Sequence, residues 1–343
     1  MKMSEIFDDL IYESKITPLI KNNEFFSIIR EYYTMEGDYK TDAKNVNLLY
    51  DIIIENEDFN PFSHGSQDLA DDVSDKICVL SMSKGNSKLD WPYLSLPAGY
   101  TCPLATVCKS TAAKPGKTFS DGSKLKAGPE MEYRCYAARQ QSQYPNTRKN
   151  VFSNIKLLAL AKKNGGIDGM AKLILDSLKY YGYDKTGVFR IHEGGDFYSD
   201  EYFKAWIQVC KSLPNVVFYT HTTSLNFWVK NMASIPSNMK LTASMDKNNE
   251  EFIKKHNLRY AKVVNTIDDA IKLKLHIDYD DTIAAFGDDS FALLLHGGQP
   301  KGSEAGKHVS KNKKTGAYDK LSKYHKANKS HRLKLANTLG SKK

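Results

Sequence analysis

From residue 187 onward the chain alternates short apolar runs with amphipathic stretches, and this alternation restricts the fold more than any other feature. The runs are GVFRIHEGG at 187–195, NVVFYTH at 215–221, MKLTAS at 239–244, YAKVVN at 260–265 and DTIAAF at 281–286. Helical patterns at 199–212, about 224–233, 248–256 and 266–274 separate them. Strands joined by helices pair in parallel, because each helix returns the chain across one face of the sheet. The spacing therefore predicts an α/β fold, a partial or complete parallel (βα) barrel of the TIM type. In such folds chemistry gathers at the C-terminal ends of the strands. Two helices at 148–163 and 166–181 precede the series. Before them, KICVLS at 76–81 and a short run starting at Trp91 and breaking at Pro97 and Gly99 read as strands.

Three segments follow from this reading. Residues 1–75 form an N-terminal helical layer, with helices at 4–34 and 40–56. The second carries Val46, Leu48, Leu49, Ile52 and Ile53 at helical spacing behind a Thr41-Asp42 cap. Residues 76–300 form the barrel-like domain, interrupted by a cysteine loop at 98–136 too long to be a plain connection. Residues 301–343 form a basic C-terminal segment with thirteen Lys or Arg against Glu304 and Asp319. The chain holds 49 basic and 40 acidic side chains, so the first 300 residues carry 36 and 38. All of the basic excess lies in the last segment, which suits either contact with a polyanion or a solvated tail. A mean hydropathy of −0.50 and the lack of any eighteen-residue apolar run argue against a membrane span. The acidic, interrupted N-terminus does not read as a secretory signal, so the expected location is the cytoplasm.

Five cysteines in such a chain do not make a disulfide framework. Cys78 and Cys210 fall in a strand and a helix with apolar neighbours and read as core thiols. Cys102, Cys108 and Cys135 instead share the glycine- and proline-flanked loop, with five and twenty-six residues between them. Three loop thiolates suit an iron–sulfur cluster with one iron left open, or a closed zinc site completed by a histidine. Incidental free thiols are the third reading.

A second informative segment is RIHEGGDFYSDEYFKAW at 190–206. Gly194 and Gly195 at a strand end let backbone approach a ligand, and Asp196 can accept hydrogen bonds from an amine or hydroxyl. His192 and Glu193 stand beside them. Ser199 is a candidate N-cap.

Strand, cysteine loop, helix, strand and Gly-Gly-acid in that order resemble the radical S-adenosylmethionine superfamily. The resemblance implies a [4Fe-4S] cluster on Cys102, Cys108 and Cys135. It also implies S-adenosylmethionine held by Gly194, Gly195 and Asp196, with Glu193 adjacent. The segments LSMSKGNSKL, LSLPAGYTCPLATVC, YRCYAARQ and FRIHEGGDFYSDEYFKAW are more closely similar to a mainly phage-encoded family known as gene product 88, over about residues 80–300. That resemblance implies a setting, the host cytoplasm, but no reaction.

His221, among Thr220, Thr222 and Thr223 at a strand end, is a candidate acid/base or a satisfied structural histidine. Asp246 is a candidate strand-end acid or a helix cap. HGGQPKGSEAGK at 296–307 lacks the glycine spacing of a triphosphate-binding loop and suits a phosphate backbone better. With the possible basic helix at 319–339, it makes Lys301, Lys307, Lys311, Lys313, Lys314 and Arg332 candidate contacts to nucleic acid. The leading expectation is an iron–sulfur, S-adenosylmethionine-dependent phage-type enzyme acting on a nucleic acid or nucleotide. Two alternatives stand beside it. One is a zinc-containing base-exchanging or base-modifying enzyme with Asp196 and Asp246 as its acids. The other is a non-catalytic nucleic-acid-binding protein.

Overall fold

The computed structural model of the protein describes residues 79–86, 89–323 and 326–327. The expected N-terminal layer, Cys78 and Arg332 lie outside the described residues. A seven-stranded sheet organises the molecule. Its strands are β1 (Met82–Ser83), β2 (Tyr93–Ser95), β5 (Val188–Gly194), β6 (Val217–Thr222), β7 (Met239–Met245), β8 (Tyr260–Val264) and β9 (Phe291–Leu294), in that spatial order. β1 pairs antiparallel with β2, and every other pairing is parallel. The alternation in sequence is thus realised as six parallel strands whose spatial order equals their chain order. Among the described residues β9 is not paired with β1 or β2, so the sheet is open and a complete barrel is not formed.

One expected strand is a helix. DTIAAF at 281–286 contains α7 (Thr282–Phe286), and the last strand is the FALL run at 291–294. The cause is local: the Asp280 and Asp278 carboxylates accept from Thr282 N at 3.1 Å and Ala284 N at 2.8 Å. Side-chain acceptors in front of a helix satisfy its free first-turn N–H groups, and here they outweigh the strand tendency of an apolar run.

The helices match their sequence patterns more closely. α2 (Pro145–Tyr180) is two helices joined at Gly166, whose φ is +58°. α3 (Asp200–Ser212) starts at Ser199, whose hydroxyl accepts from Tyr202 N. α4 (Leu225–Asn231), α5 (Glu250–Lys255) and α6 (Ile267–Lys272) fill the crossovers, the last with a Thr266–Asp269 capping box. The apolar stripes of α2 and α3 meet the sheet in one core of Phe189, Ile191, Phe218, Trp206, Phe203, Met170, Ile174 and Leu178. Trp206 is fully buried, and burial of a side chain that size contributes roughly 2–3 kcal/mol. Cys210 belongs to this core, as its apolar context predicted.

Side chains alternate across a strand, so the neighbours of these core residues face the other way. Val188, Tyr219 and Phe291 join Trp91 and Leu89 on the face away from α2 and α3. Two structures then close over that face. The cysteine loop contains a small antiparallel hairpin, β3 (Ser110–Ala112) with β4 (Leu125–Ala127), and runs into the unforeseen helix α1 (Tyr136–Gln143). The C-terminal segment forms α8 (Glu304–Lys314), buried through Ala305, Val309 and Asn312. Ala317, Tyr318 and Leu321 beyond it wrap round the edge and pack on Val264, Ala292 and Leu294, the alternate positions of β8 and β9. The described part of the basic segment is therefore docked on the sheet.

Candidate functional site

At the C-terminal ends of the parallel strands lies a cavity of about 400 Å³. Its walls include Cys102, Cys108, Cys135, Glu193, Gly194, Gly195, Asp196 and His221. Tyr318 and Leu321 line it from the C-terminal segment, and Asp278–Asp281 from the stretch before α7. Two sequence segments 60 to 90 residues apart, the cysteine loop and the Gly-Gly turn, thus meet at one site.

Specific contacts hold them together. Gln141 on α1 accepts from Ala98 N at 3.0 Å and donates to Leu96 O at 3.0 Å, which fixes the exit from β2 toward Cys102. Asn154 on α2 bonds Ser81 N, Ser81 O and Ser95 O, clamping the β1–β2 edge. Tyr136, next to Cys135, donates to Glu193 O at 2.5 Å. Gly194 and Gly195 serve this packing directly. A Cβ at Gly194 would lie 2.8 Å from Ala137 Cβ. One at Gly195, where φ is +85°, would lie 2.6 Å from Thr101 Oγ1 and 2.7 Å from Leu96 Cβ. The glycine pair lets the cysteine loop and α1 press onto the strand end, a cause the sequence reading did not include.

The three thiols face the cavity and are half-buried. Burial pushes Cys102 up to about 12, with Asp196 and Cys135 adding to the shift. Burial also raises Cys108 well above the usual thiol range, and Cys135 and Cys102 raise it further. Cys135 is raised by burial while the Ala138 and Ala137 amides at the start of α1 oppose the shift. Cys135 thus acts on both other thiols, and all three line the same cavity. The cation acting on Cys102 and Cys108 is Lys109, which is 7% exposed and donates to Cys102 O at 2.8 Å.

The acids divide by role. Asp196 accepts from Thr222 Oγ1 at 2.6 Å, Phe197 N at 2.7 Å, and Thr223 N and Oγ1 at 2.8 Å each. A carboxylate offers about four acceptor positions, and these four bonds fill them. Asp196 is thereby an anchor between β5 and β6, not a free base or a free receptor for an amine. Glu193 lines the cavity as well. Tyr93 pairs with Arg190 and Ser95 with Gly194, so two residue steps along β2 span four along β5. This bulge re-aims the strand end. Glu193 then accepts from Ser95 Oγ at 2.7 Å, while burial raises its pKa and Arg190 opposes the rise. Asp246 is not among the cavity residues. It accepts from Thr106 Oγ1 at 3.0 Å and from Asn248 N at 2.8 Å, tying the cysteine loop to the end of β7.

His221 lines the cavity with its Nδ1 buried and unpartnered. Burial and Arg190 hold its pKa at about 4, so the ring is neutral. His192, 2% exposed, is lowered to about 3 by the same causes; its Nε2 meets Tyr202 Oη at 3.1 Å and its Nδ1 has no partner. Sequence reasoning missed a buried ion pair beside them. Arg190 Nη1 meets Asp281 at 2.6 Å, Tyr219 Oη donates to the same oxygen at 3.0 Å, and Arg190 Nε donates to His192 O at 2.7 Å. An arginine inside the apolar run GVFRIHEGG was the available signal, since a charged residue in a parallel strand requires a partner. Asp278, raised to about 7 by burial and by Asp281, was not foreseen either.

Lys301, Lys307, Lys311, Lys313 and Lys314 are exposed on or before α8. Among the described residues no three His, Cys, Asp or Glu side chains stand close enough to hold a single metal ion. A closed zinc site is accordingly not preassembled in this geometry. An iron–sulfur cluster places each cysteine on a different iron, so its ligands need not converge on one atom. Three cavity-facing thiols on one loop fit that requirement. No described helix is long and apolar enough to cross a membrane.

Residues 70–320 match the model of the family described as Gene product 88, a longer span than the 80–300 expected from the sequence segments. A stretch of 116 residues is 28% identical to the Gene 88 protein of Mycobacterium phage D29, covering 34% of this chain and 48% of that relative. The match thus spans about half the length of the curated relative. No solved structure matches. The S-adenosylmethionine resemblance is carried by neither match.

Proposed function

The chain belongs to the gene product 88 family, and we propose that it is a cluster-dependent enzyme of the radical S-adenosylmethionine type, built on a partial (βα) barrel. One observation carries this reading. Three cysteines from a single loop after the first parallel strand, and the Glu193-Gly194-Gly195 turn after the second, open onto one cavity at the strand ends. Cys102, Cys108 and Cys135 would hold a [4Fe-4S] cluster, with Lys109 balancing part of its negative charge. Such a cluster, reduced by an external donor, would supply the one-electron chemistry that cleaves a carbon–sulfur bond of S-adenosylmethionine. Glu193 and the cavity walls orient the ligand, and the cysteine loop keeps water from the reacting atoms. Asp196 holds the turn in shape rather than touching the amine.

Anaerobic purification followed by iron, sulfide and zinc analysis tests the reading. Iron with matching labile sulfide, a brown absorbance and reductive cleavage of S-adenosylmethionine are expected. Each of Cys102→Ala, Cys108→Ala and Cys135→Ala is expected to lose the iron. Stoichiometric zinc without sulfide, or no cleavage by the reconstituted protein, would overturn it.

A nucleic acid or nucleotide is the proposed substrate, on a separate observation. The exposed lysines of α8 lie just before Tyr318 and Leu321, which line the cavity, so phosphates held there would place a base near its mouth. Binding that weakens steeply with added salt in the full chain, and less steeply after Lys311→Ala with Lys314→Ala, is the expected result.

A further inference from the structure

The charge on the cavity walls bears on what can enter. Its walls carry the carboxylates of Glu193, Asp196, Asp278, Asp280 and Asp281 against the cations of Arg134 and Arg190. Arg190 is engaged by Asp281 at 2.6 Å. Arg259, the cation acting with Asp278, does not line the cavity and donates to the carbonyls of Ile283, Ala284 and Asp289. Asp278, 5% exposed, faces Asp280 and Asp281 on its own segment, and their like charges raise it. Rings of Tyr133, Tyr136, Tyr279 and Tyr318 also line the space. Aromatic faces with nearby carboxylates favour an organic cation, since the ring quadrupole and the acids attract the same charge. The unpartnered Nδ1 atoms of His192, itself 2% exposed, and of His221 are buried polar atoms on the same walls. Orphaned buried groups of this kind call for a partner from outside the protein. The acids do not converge well enough to hold one metal ion among the described residues.

We propose that this cavity takes an organic cation, an ammonium or sulfonium flanked by carbon, and keeps phosphate outside. The charge inventory stands without the cluster, so the proposal does not depend on the reading above. It narrows the substrate all the same: a nucleic acid can place only a base or an amine-bearing group inside, with its phosphates remaining on the lysines of α8. Two sources share the chemistry, the sulfonium and ammonium of S-adenosylmethionine and the ammonium of a substrate.

Calorimetry on the full chain, as isolated and after cluster reconstitution, tests this with S-adenosylmethionine, the singly charged N-acetyl-lysine methylamide, and adenosine monophosphate. At least one cation is expected to bind. Asp278→Asn, which keeps an acceptor for Ala284 N, and Glu193→Gln are each expected to weaken it by about tenfold, the effect of about 1.4 kcal/mol of charge interaction. Melting curves verify that both variants fold. Displacement of the lysine probe by S-adenosylmethionine identifies the cofactor as the cation, and simultaneous binding identifies a substrate subsite. Tighter binding of the monophosphate than of either cation, no cation binding in either form, or unchanged affinity in both folded variants would overturn the proposal.

Discussion

On the wall formed by β5, β6 and residues 278–281, Arg190 meets Asp281 at 2.6 Å and Tyr219 shares that carboxylate. On the wall formed by the cysteine loop, Cys135 raises the pKa of Cys102 and Cys108, and Lys109 is bonded to a backbone carbonyl. The acid wall is braced within the protein, because Arg190 and Asp281 at its centre match each other. The thiol wall is not: it acquires full negative charge only when something positive arrives to hold the protons off. The Arg190–Asp281 pair therefore carries stability, and the chemistry of a cluster belongs to the thiol wall.

Arg190→Met breaks this contrast most directly. It removes the cation from the largely buried Asp281, to which Tyr219 still donates, and a loss of about 3 kcal/mol in urea unfolding is expected. Cys102→Ala, on the other wall, should change stability by less than about 1 kcal/mol while abolishing iron uptake. The reverse order would mean that the thiols, not the ion pair, hold the cavity together. Next in size is Asp196→Asn. An amide cannot accept all four hydrogen bonds, and a destabilisation of about 2 kcal/mol is expected. Asp196→Asn without a stability change, but with lost ligand affinity, would return that residue to a direct role.

The parallel sheet was legible because apolar runs and helical patterns alternate without interruption from 187 to 274. The run at 281–286 misled because its fate depends on Asp278 and Asp280, whose carboxylates reach N–H groups only once the chain has turned. The cysteine set and the Gly-Gly turn were visible as types of residue in a loop. Their meeting was not, since it rests on Gln141, Asn154 and Tyr136 reaching across 40 to 75 residues. The role of Asp196 was misjudged for a similar reason. A carboxylate after two glycines reads as an acceptor for a ligand's amine or hydroxyl until Thr222 and Thr223, more than 25 residues later, are found bonded to it. Basic charge at 301–314 was plain, but its docking through Ala305 and Val309 hid among the lysines.

A pH series separates the titrating members of the two regions with a smaller effect. His192 and His221 fold neutral, at about 3 and 4 against an ordinary 6.5. Between those values the unfolded chain binds protons that the fold rejects, so stability rises with pH from about 4 to 6.5. Asp278 acts oppositely. Raised from 3.8 to about 7, it keeps a proton in the fold that the unfolded chain releases, so its contribution falls with pH across the same window. The two slopes offset each other. In Asp278→Asn the falling slope is absent, and melting temperatures between pH 4 and 6.5 should climb more steeply than in the unaltered protein. Parallel profiles would remove Asp278 from the balance.

The smallest effect on stability tests how the thiol wall is held shut. Thr106 donates to Asp246 at 3.0 Å, Asn248 Nδ2 donates to Thr106 Oγ1 at 2.9 Å and to Glu130 at 3.0 Å, and Lys247 pairs with Glu132 at 2.7 Å. These are surface contacts, and such contacts contribute little to global stability. They are nonetheless the side-chain ties between the cysteine loop and the end of β7, and local opening follows local contacts rather than total stability. Asp246→Ala is expected to leave the urea midpoint within about 1 kcal/mol of the original. Amide exchange at 103–108 should accelerate while exchange along β5 and β6 stays the same. Cys108 should also alkylate faster, because an open loop returns its thiol to water and toward an ordinary pKa. Uniform acceleration across the sheet would show instead that Asp246 supports the whole fold, and the distinction between a self-sufficient acid wall and a separately hinged thiol wall would be lost.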